Sequence, residues 1–139
     1  MQVREGMSSV VLTVGTGHTL RQAAAQMADR HVGAAVVIDS ELPGPGILTE
    51  RDLLQSIAQG QDPDSERVAD HMTDDPLFAS PDWSLEQAAV AMIRGAFRHV
   101  IVIEGAEVAG VLSMRDVVRC WTDDGASCEV PPPPQIAAA

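Results

Sequence analysis

The sequence predicts an α+β chain built from two tandem copies of one β-α-β-β-α unit. Three observations carry that reading. The stretch Gly46-Ile47-Leu48-Thr49-Glu50-Arg51-Asp52 returns as Gly110-Val111-Leu112-Ser113-Met114-Arg115-Asp116. A capping box with an apolar helical stripe behind it, Thr19-Leu20-Arg21-Gln22 followed by Ala23, Ala24 and Met27, returns 65 positions later as Ser84-Leu85-Glu86-Gln87 followed by Ala88, Ala89 and Met92. The apolar run Ala35-Val36-Val37-Ile38 keeps that offset to Val100-Ile101-Val102-Ile103, and a turn one residue shorter sets the final motif at an offset of 64. Order and spacing recur together, which marks an internal duplication.

Composition bounds what such a chain can do. With 139 residues, 45% of them hydrophobic, it has room for one ordinary domain or two very small ones around an aliphatic core. Aromatic residues make up only 3% and tyrosine is absent, so platforms for stacking single-stranded nucleic acid are nearly missing. A formal net charge of −11 repels nucleic acid and anionic membrane surfaces alike, and neither is expected as a partner. Cys120 and Cys128 have neither zinc-finger nor redox-motif spacing. No apolar segment reads as a signal peptide or a membrane span, so a cytoplasmic location is expected.

Taken in order, residues 1–6 read as a polar lead-in, and the β-branched stretch Ser8 to Val14 as a strand broken by Gly15, Thr16 and Gly17. The capping box at Thr19 opens a helix expected to run from Leu20 to Arg30. Val32 to Ile38 is a continuous apolar run, the pattern of a strand buried on both faces. Asp39 to Pro45 makes a turn, a strand follows through Ile47 and Leu48, and the next helix carries Leu53, Leu54 and Ile57 before stopping at Gly60. Gln61 to Glu66 is polar and holds a proline, the composition of a linker. These signals place one unit at residues 7–62, a second at 63–122, and a Pro/Ala-rich tail expected to be disordered at 123–139.

The recurring motif is a strand that runs into the first turn of a helix. Thr49 or Ser113 stands at the N-cap, with Asp52 or Asp116 three residues on. Such a turn aims unpaired backbone N–H groups at the space before it, which suits an anion. The same residues also spell a capping box, in which hydroxyl and acid satisfy each other's backbone N–H groups and nothing binds. One copy favours the second reading; two copies in matching contexts strengthen the first.

The duplicated unit resembles the CBS domain, and the pair resembles a tandem CBS (Bateman) module over roughly Met7 to Trp121. The likeness is carried by Thr19-Leu20 with Ala23, Ala24 and Met27, by Gly33 to Val37, and by Gly46 to Asp52. In the second copy it is carried by Ser84-Leu85 with Ala88, Ala89 and Met92, by Arg98 to Val102, and by Gly110 to Asp116. The resemblance implies two units related by a pseudo-two-fold axis, with two clefts that commonly bind adenosine derivatives such as AMP, ADP, ATP or S-adenosylmethionine. It implies Asp52 and Asp116 as partners for ribose hydroxyls. Thr49 and Ser113 are the implied phosphate ligands, with Arg51 and Arg115 close by. Arg98 and His99 stand where such domains often carry basic residues facing phosphate, whereas the first copy has Gly33 and Ala34 there. The adenine is expected against Val11 to Val14 and Leu77 to Ala79, and the cleft of Ser113 and Asp116 is expected to dominate phosphate binding.

On this basis the chain is expected to be a stand-alone regulatory or sensor module for an adenine nucleotide, with no other cofactor. The alternative is a structural or oligomerisation module whose clefts are empty. No nucleophile-base pair, Walker-type loop or metal motif points to an enzyme, and His18, His31, His71 and His99 are scattered. A zinc site or disulfide using Cys120 or Cys128 stays open at this level. Apolar helix faces at Leu53, Leu54, Ile57 and Val117, Val118, Trp121 predict a homodimer joined through helices.

Overall fold

The computed structural model describes residues 1–123. The expected tail from residue 124 onward, and Cys128 within it, lie outside the described residues; Asp123, assigned above to that tail, ends a helix.

Each unit forms as its local chemistry dictates. A short helix α1 (Val3–Gly6) precedes β1 (Thr13–Val14), α2 (Leu20–Asp29), β2 (Ala34–Val37), β3 (Gly46–Thr49) and α3 (Glu50–Ala58). A 3₁₀ turn, Val68–Asp70, then leads into β4 (Phe78–Ala79), α4 (Leu85–Gly95), β5 (His99–Glu104), β6 (Glu107–Ser113) and α5 (Met114–Asp123). The predicted capping boxes hold both inner helices: Gln22 N donates to Thr19 Oγ1 at 3.1 Å and Gln87 N to Ser84 Oγ at 3.1 Å. In each unit the outer parallel strand pairs with a central strand that is antiparallel to the third, giving the orders β1-β2-β3 and β4-β5-β6.

Burial follows the apolar periods. Leu20, Ala23 and Met27 cover one face of the first sheet, and Leu85, Ala88 and Met92 cover the second in the same way. The free faces of the two sheets meet through Ala34, Val36, Ile47 and Ile101. A strand covered from both sides has no polar face, which is why every residue from Ala34 to Val37 is buried.

The N-terminus departs from expectation. Residues 1–6 are not a solvated lead-in: Val3 is fully buried in the core of the second unit. Its amide donates to Trp83 O at 2.7 Å, Leu85 N donates to Met1 O at 3.0 Å, and Arg4 pairs with Asp82. One apolar residue in a four-residue helix makes no period, so polarity alone misreads the segment. Val68, 65 positions on, does the converse and is buried in the core of the first unit, with its amide on His18 O at 2.9 Å. The polar stretch before it is likewise fastened to the first unit by Leu20 N on Glu66 O at 3.0 Å and by an Arg21–Asp64 ion pair.

The expected strand from Ser8 to Val14 divides for the same reason. Thr13 and Val14 join the first sheet, while Ser8 exchanges two hydrogen bonds with Val111 of β6, at 2.9 and 3.0 Å. The crossing needs glycine in both motifs. A Cβ on Gly110 would lie 2.5 Å from Ser8 O, and one on Gly46 would lie 2.9 Å from Thr73 O. The invariant start of the repeated stretch is therefore set by a backbone crossing against it.

Candidate functional site

Both motifs form the strand-to-helix turn that their spacing predicts. In the first, Thr49 N donates to Asp52 Oδ2 at 2.8 Å, and the Thr49 hydroxyl lies 3.2 Å from the same oxygen. In the second, Ser113 N donates to Asp116 Oδ2 at 2.9 Å while Asp116 N donates to Ser113 Oγ at 3.0 Å. Both acids are thus engaged in their own helix caps. Asp116 is held further, since Arg119 donates from a guanidinium nitrogen to its Oδ1 at 3.3 Å. Asp52 Oδ1 accepts no side-chain or backbone hydrogen among the described residues.

Each motif faces the other unit. The Thr49, Arg51 and Asp52 turn opens onto Ala96, Phe97, Arg98 and His99, just ahead of β5, around a hollow of about 160 Å³. The Ser113, Arg115 and Asp116 turn opens onto the segment His31 to Ala34, just ahead of β2, around a cleft of about 810 Å³. The difference is written in the aligned walls: Phe97, Arg98 and His99 replace Val32, Gly33 and Ala34, so the first cleft is filled where the second is open. Ligand pockets usually enclose about 300–1,000 Å³, a range the second cleft meets and the first does not. A third hollow, about 580 Å³ between Val11, Ile38, Leu42 and Val108, contains no motif residue.

Arg98 and His99 belong to both clefts. They sit beside the second motif within one sheet, with His99 opposite Ser113 and Met114 N donating to Arg98 O at 2.9 Å, yet they also wall the first. Burial pushes the His99 imidazole below the ordinary histidine value, against the opposing pull of Glu50 and Asp116, with Arg98 adding to the depression. Its Nδ1 is buried without a partner among the described residues. All eight sequence-predicted residues therefore line one or both clefts: Thr49, Arg51 and Asp52 the first, Ser113, Arg115 and Asp116 the second, and Arg98 and His99 the two together.

Of the adenine-facing stretches expected from the resemblance, Val11 and Leu12 line the second cleft, while Leu77 to Ala79 line neither. Val10, 76% exposed, and Val32, 39% exposed, give the second cleft an uncovered apolar wall. Sequence reasoning missed Glu50 and Arg119. Glu50 reaches both clefts, and its counterpart in the second copy is Met114, a difference that comparing the two motifs position by position would have exposed. Cys120, considered above for a metal or disulfide, is a free thiol buried in the second core. No helix among the described residues is long and apolar enough to cross a membrane.

Two copies of one α+β unit, stacked sheet to sheet with a motif turn opening toward each neighbour, define a tandem-repeat module with paired clefts. A family model for the CBS domain matches residues 2–59 and 68–123, and the chain belongs to the CBS domain family. A CBS domain-containing protein of Arabidopsis thaliana is 36% identical over 116 residues, which are 83% of this chain and 20% of that protein. The chain thus spans about a fifth of the length of that relative. Among solved structures, a CBS-domain-containing protein from Agrobacterium tumefaciens is 32% identical with a TM-score of 0.79, over 86% of this chain and 98% of that one. A CBS domain protein from Pyrobaculum aerophilum, complexed with AMP, is 29% identical with a TM-score of 0.75, over 84% of this chain and 89% of that one.

Proposed function

We propose that this chain is a regulatory module whose second cleft binds an adenosine-type ligand carrying phosphate. The observation that carries the reading is the cleft of about 810 Å³ in which Ser113, Asp116, Arg98 and Arg115 meet the exposed apolar side chains of Val10 and Val32. A purine needs an apolar wall, a ribose diol needs a carboxylate, and a phosphate needs guanidinium and helix N–H donors. The AMP bound to the Pyrobaculum relative supports the same ligand class.

A thermal-shift screen of AMP, ADP, ATP, NADH and S-adenosylmethionine tests the reading. A ligand at a hundred times its Kd stabilises the folded state by about 2.7 kcal/mol, so at least one adenine nucleotide should raise the melting temperature clearly. No shift with any of the five would count against it.

A second reading, a structural module acting through protein contact, is favoured by the helix caps that already engage both motif acids. It is also favoured by the apolar side chains of α3 and α5: Leu54 is 67% exposed, Ile57 61%, Val118 56% and Trp121 54%. These faces support the proposal that two copies associate through helices, whichever reading holds for the clefts.

A further inference from the structure

We infer that Glu50 makes the second cleft selective for a nucleoside monophosphate over the corresponding di- and triphosphates; the inference rests on the adenosine reading above. Glu50 stands at the first position of α3 but reaches across the junction of the units. Its carboxylate packs against Gly33, where a Cβ would lie 3.3 Å from Glu50 Cδ and Oε1, and it lines the same cleft as Ser113, Arg98 and Arg115. The close approach places the carboxylate against the wall of the cleft, where it stays exposed to solvent.

The charges in the cleft are few and can be followed one by one. Three guanidiniums, Arg98, Arg115 and Arg119, face two carboxylates, Glu50 and Asp116. Arg119 and Asp116 pair with each other. No ion pair among the described residues engages Glu50. Its neighbour His99 is held toward the neutral form by burial and does not offset it near neutral pH. Two cations and one unpaired anion remain.

A single phosphate can lie between Arg98 and the Ser113 turn. Each added phosphate brings further negative charge into a cleft where Arg115, the one guanidinium left unpaired among the described lining residues, is offset by the repulsion of Glu50. The chain's net charge of −11 acts in the same direction at longer range. The first motif supplies this acid to the second cleft; the second motif, with Met114 at the equivalent place, supplies none to the first.

Titration calorimetry of adenosine, AMP and ATP on the full chain and on Glu50→Gln tests this. Removing one full charge at this range should tighten ATP about tenfold relative to AMP and leave adenosine within about twofold. The unaltered protein should bind AMP more tightly than ATP. Glu50→Ala should repeat the change in the ratio, which separates charge from the packing against Gly33. An unaltered protein that binds ATP at least as tightly as AMP, or a Glu50→Gln protein with an unchanged ratio, overturns the inference while leaving the adenosine reading standing. Failure of all three ligands to bind the unaltered protein overturns both.

Discussion

Val3 and Val68 occupy equivalent places in the repeat and are exchanged between its halves, each fully buried in the core of the opposite unit. Neither unit completes its core alone. Truncating a buried valine removes methyl groups and leaves a cavity, so Val3→Ala should cost about 2 kcal/mol despite lying in a polar segment near the N-terminus. Urea denaturation should give a similar loss for Val68→Ala, with one transition for the whole chain in both variants. A Val3→Ala protein as stable as the parent would contradict the exchanged packing.

Acid stability should carry a contribution from His99. Burial holds its imidazole below the ordinary 6.5, while Glu50 and Asp116 pull it upward and Arg98 presses it down. On acidification the unfolded chain therefore takes up this proton first. The stabilisation is complete above pH 6.5 and erodes as the pH falls below that value, until the folded imidazole also titrates. The Asp39 carboxyl, held down by the Glu41 amide and the Thr16 hydroxyl, erodes stability only on falling below 3.8, so the two windows separate. Melting temperatures across pH 7 to 5 should fall more steeply for the parent than for His99→Gln; parallel curves would contradict this.

Association through helices is read most directly from mass. Light scattering after size exclusion should give a multiple of 14.7 kDa for the parent and a mass near 14.7 kDa for a Leu54→Glu, Trp121→Glu double variant. A monomeric parent at micromolar concentration would contradict it.

Much of the fold was legible because duplication shows every element twice. The capping boxes at Thr19 and Ser84 and the turns at Thr49 and Ser113 lie where pattern and spacing put them, whereas the run expected to be buried from Val32 to Ile38 is buried only over Ala34 to Val37, with Val32 and Ile38 exposed beyond the strand ends. What escaped was the crossing of Val3 and Val68, because an isolated buried residue has no period. The clefts were legible as motifs but not as volumes. Only the folded chain shows that each motif faces the other unit, so that Phe97 fills the first cleft and Glu50 enters the second.

The central claim, that the second cleft is the nucleotide site, is tested most directly by titrating AMP into Asp52→Ala, Asp116→Ala and Arg98→Ala. Each aspartate variant removes the carboxylate that accepts from its own N-cap amide, and Asp116→Ala also releases Arg119. Charge-assisted hydrogen bonds of about 1.5–3 kcal/mol predict a roughly ten- to hundredfold weaker AMP affinity for Asp116→Ala and little change for Asp52→Ala. Arg98→Ala should weaken AMP while sparing adenosine. Equal losses for the two aspartate variants, or an Arg98→Ala protein that loses adenosine as badly as AMP, would contradict the account.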